Sequence, residues 1–195
     1  VFYLTDDDKI QYYRYQAIKY LKPELRENYY EQAILVSQSL AGIMKTLMVK
    51  RLESSFTAFK SSLKNLTTAT GRMIDMFDKG KVLIAPDLRV NDMMEKGFSI
   101  EDLEEMILKM MVENPRNNVF SPDDFDSGFI EGLRKDHLLL QELVKEWSKV
   151  EQDPKLDAFL NTLKDELLNQ DINPTGKLVV FTESTDTANY LAEKV

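Results

Sequence analysis

The residues with the clearest capacity for chemistry are cationic. The stretch KTLMVKRLESSFTAFKSSLKN (45–65) carries five basic side chains and one acid, Glu53, in a chain whose formal net charge is −8. Lysine and arginine at this density suit a polyanion, because phosphate contacts rest largely on those two residue types. Lys50, Arg51, Lys60 and Lys64 are therefore candidate nucleic-acid-binding residues. Lys60 and Lys64 align on a helix, whereas Lys50 and Arg51 point elsewhere, which weakens a single dedicated face.

Other chemistries are poorly served. No G-x-x-x-x-G-K-[ST] phosphate loop, GxSxG elbow or HExxH pair occurs. His137 is the only histidine and adjoins Leu138–Leu140, a setting for a structural or surface residue rather than a base. PDDFDSG resembles a calcium loop, but with Asp124 first and Asp126 third, position five is Gly128, which offers no side-chain oxygen. Helix capping accounts for those acids. The sequence shows no complete active site, no cofactor-binding residue and no metal ligand set.

Composition bounds the class. At 195 residues, 43% hydrophobic and 30% charged, the chain reads as globular. Cysteine is absent, which excludes disulfides and thiolate zinc sites and fits a reducing compartment. The start, VFYLTDDDK, has no signal-peptide pattern, and no run approaches a membrane span, so a soluble, cytoplasmic protein is expected. The missing initiator methionine suggests an excised piece. Residues 1–80 have a net charge of +3 and residues 81–195 a net of −11, so polyanion contacts belong in the first half.

The elements that must position these groups are mostly helices. Asp6–Asp8 can open a helix over IQYYRYQAIKYL, interrupted at Pro23, which suits the first turn of PELRENYYEQAILVSQSLAGIMK. Leu52, Phe56, Phe59, Leu63, Leu66, Met73 and Phe77 then follow three- and four-residue steps. They predict one long helix with a core face, flanked by small residues and ending near Asp78–Gly80. KVLIAPDL is a short strand or buried connector. RVNDMMEKG and SIEDLEEMILKMMVEN read as helices, the second with a methionine-rich core stripe, and NPRNNVFSPDDFDSG as a loop. A helix is expected from about Asp126 to Lys149, and another from Asp153-Pro154 through PKLDAFLNTLKDELLNQ. KLVVF (177–181) is a continuous apolar run of the kind found in parallel sheets, with a helical TESTDTANYLAEKV after it.

Two stretches carry a resemblance. VKRLESSFTAF (49–59) resembles the "KRLESS…AF" segment of bacterial Swi/Snf-type and related superfamily-two helicase proteins. DPKLDAFLNTL (153–163) followed by GKLVVFTESTDTANYLAEKV (176–195) resembles the start of their C-terminal RecA-like lobe, around helicase motif four. The likeness covers about residues 45–65 and 150–195. It implies a mainly α fold: a helical inter-lobe region over 1–174 and the first strand and helix of a truncated RecA-like α/β lobe over 175–195. It also implies a parent that hydrolyses ATP with Mg and acts on DNA or RNA, the rest of the motor lying in the same polypeptide. The phosphate loop, the Walker-B acids and the arginine finger are absent from this chain, which alone is expected to be inactive. The turn after Phe181, with Thr182, Ser184 and Thr185, would face nucleic acid; capping by Ser184 or Thr185 explains the same hydroxyls.

Two other functions compete with the motor fragment. A helical module binding nucleic acid by itself would use the basic cluster. A helical scaffold for protein partners would use the acidic, methionine-rich second half.

Overall fold

The computed structural model describes residues 9–26, 31–84 and 118–195. The expectations for Asp6–Asp8 and for the helices over RVNDMMEKG and SIEDLEEMILKMMVEN lie outside them.

The described chain is mainly helical. A 3₁₀ helix spans Tyr13–Tyr20, followed by α1 (Pro23–Arg26), α2 (Glu31–Ser54) and α3 (Phe56–Asp78). Strands β1 (Val82–Ile84) and β2 (Asn118–Phe120) lead into a 3₁₀ turn at Pro122–Asp124 and α4 (Ser127–Ser148). The chain continues through α5 (Pro154–Thr162), a π-helical turn at Leu163–Leu167 and α6 (Thr185–Lys194).

Helices α3 and α4 form the antiparallel centre. Phe59, near the start of α3, meets Trp147, near the end of α4, with ring centroids 4.7 Å apart. At the other end, Phe77 meets Phe129 at 5.5 Å. Around the first end Met44, Leu47 and Met48 of α2 join Phe59, Leu63, Leu66 and Leu140. Around the second, Ala17, Ile18 and Leu21 pack with Met73, Phe77, Val82, Phe125, Phe129 and Leu133. Each fully buried side chain of this size stabilises by about 1.5–3 kcal/mol relative to exposure.

Local signals set several boundaries as expected. Asp126 caps α4 by accepting from the Gly128 backbone N–H, and Asp153 caps α5 by accepting from those of Lys155 and Leu156. Gly80 takes φ 75° just after α3, a left-handed stop that glycine adopts without strain. The segment KVLIAPDL does supply a strand, but β1 pairs antiparallel with β2, setting Val82 against Phe120 and Ile84 against Asn118. The loop NPRNNVFSPDDFDSG therefore contains β2 and a capping box between Ser121 and Asp124.

Four expectations are corrected. The long helix through 45–65 is two helices that break at Ser55, whose backbone is extended (φ −161°) and whose hydroxyl accepts from the Ala58 N–H. The apolar period runs across the break, so spacing alone does not reveal it. The helix over 10–21 is a 3₁₀ helix entered through Tyr12 at φ 57°, a left-handed backbone held by contacts described below. The helix from Pro154 changes to a π turn at Leu163. Finally, 177–181 forms neither strand nor helix. Val179 and Phe181 are 72% and 91% exposed. A β-branched run becomes a strand only where another strand meets its backbone, and no described residue does so.

Candidate functional site

Four helix ends meet at one corner of the molecule. The last turn of α2 brings Arg51 and Ser54, and the break brings Ser55. The first turn of α5 brings Asp153 and Lys155, and α6 begins with Ser184 and Thr187. Arg51, Ser55, Asp153, Ser184 and Thr187 are all buried.

The corner is held by polar bonds. Arg51, 5% exposed, donates from Nη1 to Ser184 Oγ at 2.6 Å. Ser184 Oγ also accepts from the Thr187 backbone N–H at 3.3 Å, capping α6. Thr187 Oγ1 lies 2.7 Å from Ser54 Oγ and 2.9 Å from Ser55 Oγ, and Ser55 in turn caps α3. Lys155 Nζ donates to the backbone carbonyls of Glu53 and Ser54, placing a cation on the negative end of α2. Tyr190 of α6 completes the corner: burial first and the Asp153 carboxylate second hold its hydroxyl above the ordinary phenol range. Asp186, in the first turn of α6, keeps one carboxylate oxygen buried without a hydrogen-bond partner among the described residues.

Such a cluster ties the helix ends to one another. Hydrogen bonds to a charged guanidinium are worth about 1.5–3 kcal/mol, and removing one partner leaves the other buried and unsatisfied. The break between α2 and α3 and the start of α6 thus share hydrogen bonds.

The residues expected to bind nucleic acid separate into three groups by exposure. Arg51 and Ser184 are buried and bonded to each other. Lys60 is half-buried and donates Nζ to the Val150 carbonyl. Lys50, Lys64, Thr182 and Thr185 are exposed. Thr182 Oγ1 accepts from the Ser184 N–H at 3.2 Å, ordering the turn before α6. Ser184, rather than Thr185, supplies the cap. A signal for Arg51 existed in the sequence, since it falls three residues after Met48 and four after Leu47, both buried.

A second buried polar group escaped the sequence reading. Asp136 of α4, 3% exposed, accepts from the backbone N–H groups of Gln11 and Tyr13, each at 2.8 Å. Burial outweighs these bonds and raises its pKa above the ordinary carboxylate range. Tyr12 beside it is pushed up to about 12, first by burial and then by Tyr15 and Asp136. An acid standing between Leu133 and Leu140 in a helical core stripe was the available signal. Asp136 holds the entry to the first 3₁₀ helix.

Among the described residues no group of three or more metal-ligating side chains converges, and no helix is long and apolar enough to cross a membrane. A cavity of about 670 Å³ lies between Lys22, Phe77, Asp78, Asp123, Phe125 and Ile130, at the end of the molecule built from Phe77 and Phe125. No family model matches the chain, and no curated protein or solved structure matches it either.

Proposed function

We propose that this chain is the helical joint of an ATP-driven nucleic-acid motor of the superfamily-two type, working in the cytoplasm. In this reading the helices through residue 174 connect two motor lobes. Residues 175–195 open the C-terminal RecA-like lobe, with α6 as its first helix; 177–181, unpaired among the described residues, would become its first strand beside the rest of that lobe. ATP and Mg belong to the rest of the motor, and DNA or RNA is its track. The observation that carries the reading is the bond from Arg51 to Ser184. It joins the two stretches that resemble the motor family, otherwise 133 residues apart. A joint that must move with a lobe needs a contact of this kind. Exposed Lys50, Lys64, Thr182 and Thr185 are the groups left for phosphate.

The test is ATP hydrolysis by the complete polypeptide with and without DNA or RNA. Stimulation is expected, with R51A and S184A reducing the stimulation more than the basal rate. A coding region with no phosphate loop upstream of this chain would sink the reading.

A second reading, a helical scaffold for protein partners, is favoured by the exposed apolar run 178–181 and the acidic second half. Binding to a protein and not to nucleic acid, in pull-down and mobility-shift assays on the same preparation, would favour it.

A further inference from the structure

The run 178–181 lies between anchored residues and has no backbone hydrogen bond to any described residue. On one side Asn173 donates through Nδ2 to the carbonyls of Leu167 and Lys177. On the other, Ser184 is locked into the buried corner. Between them no backbone hydrogen bond ties 178–181 to any described residue, and Leu178, Val179, Val180 and Phe181 are all exposed. An apolar segment with free backbone groups is a template for strand addition.

The order of residues states which strand fits. In KLVVFTE, Lys177 and Glu183 stand at equal distances from Val180. Antiparallel pairing of two copies about a two-fold axis at Val180 sets Lys177 of each chain opposite Glu183 of the other. It also sets Val179 opposite Phe181, and Val180 opposite itself. The two faces then divide cleanly, because side chains alternate along a strand. Val179 and Phe181 form an apolar centre between two ion pairs on one face, with Leu178, Val180 and Thr182 on the other. Cross-strand pairs of opposite charge and of aromatic with β-branched residues stabilise such a ribbon. The symmetry closes the assembly at two chains.

We propose that residues 177–183 form a two-fold antiparallel strand pair with a second copy of this chain. The inference goes beyond the motor reading and does not depend on it. A strand has two hydrogen-bonding edges, so a second copy on one edge leaves the other for a sheet.

Charge exchange tests the register. Sedimentation velocity on the full chain should show a concentration-dependent monomer–dimer equilibrium. K177E and E183K should each weaken it by roughly tenfold, since both end pairs then become like-charged. The double variant K177E/E183K should restore it, and mixing the two single variants should yield a heterodimer. V180K, which sets two cations against each other on the axis, should abolish it. All three positions are exposed, so circular dichroism should remain unchanged and exclude misfolding. A chain that stays monomeric up to millimolar concentration overturns the proposal. So does a dimer indifferent to V180K, or a double variant as weak as the single ones. None of these results bears on nucleic-acid-stimulated ATP hydrolysis, so the two readings fail separately.

Discussion

Arg51 Nη1 donates to Ser184 Oγ at 2.6 Å, inside a corner where four helix ends converge. One bond therefore ties the last turn of α2 to the cap of α6. Its removal should be felt at both ends. R51A should lower stability by about 1.5–3 kcal/mol, the cost of losing a charge-assisted bond and leaving a buried hydroxyl short of a donor. S184A should cost about 1 kcal/mol or more through the lost cap. The double variant should cost less than the sum, by at least about 0.5 kcal/mol, in urea unfolding followed by the single tryptophan, Trp147. Additive losses would show that the two side chains act independently.

Asp136 makes a pH-dependent prediction. Its folded-state pKa lies above 3.8 because burial disfavours the charge. The folded protein therefore binds this proton more tightly than the unfolded chain. The stability linked to the group is full below 3.8 and declines as pH rises through the folded pKa. D136N removes the titration and should cost roughly 1–3 kcal/mol through a mispaired N–H. Its deficit relative to wild type should be larger near pH 3 than near pH 7 in paired denaturant titrations. A deficit that grows towards neutral pH would reverse the sign assigned to Asp136.

Gly132 lies against an aromatic ring. A Cβ built there would approach Tyr13 Cε1 and Cζ at 2.3 Å, far inside contact distance. G132A should destabilise by about 1–3 kcal/mol, as overpacking does. Adding Y13A should recover part of the loss, because the ring that clashes is gone. Thermal unfolding of the two variants checks this, and an unchanged Tm for G132A would contradict it.

The lysines of the first half should behave differently from one another. K50Q and K64Q remove exposed charges, and each should lower the salt slope of nucleic-acid binding by about one unit while leaving stability within about 0.5 kcal/mol. Lys60, which donates to the Val150 carbonyl, should register first as lost stability. Fluorescence anisotropy across a salt series, read beside unfolding curves, separates the two effects.

What the sequence determined by itself is local. Asp126, Asp153-Pro154, Ser184 and Gly80 mark helix ends because a cap or a left-handed residue acts within one turn. The apolar stripe from Phe59 to Phe77 identified the central helix because burial on one face follows a helical period. Only the tertiary structure decided the rest. The break at Ser55 leaves that period intact, so it becomes visible only when α6 places Thr187 against the serine hydroxyl. Arg51 reads as a phosphate ligand until the fold brings Ser184 to it from 133 residues away. The run 177–181 has every residue a strand needs, yet a strand is a relationship between two segments, and no described segment supplies the second.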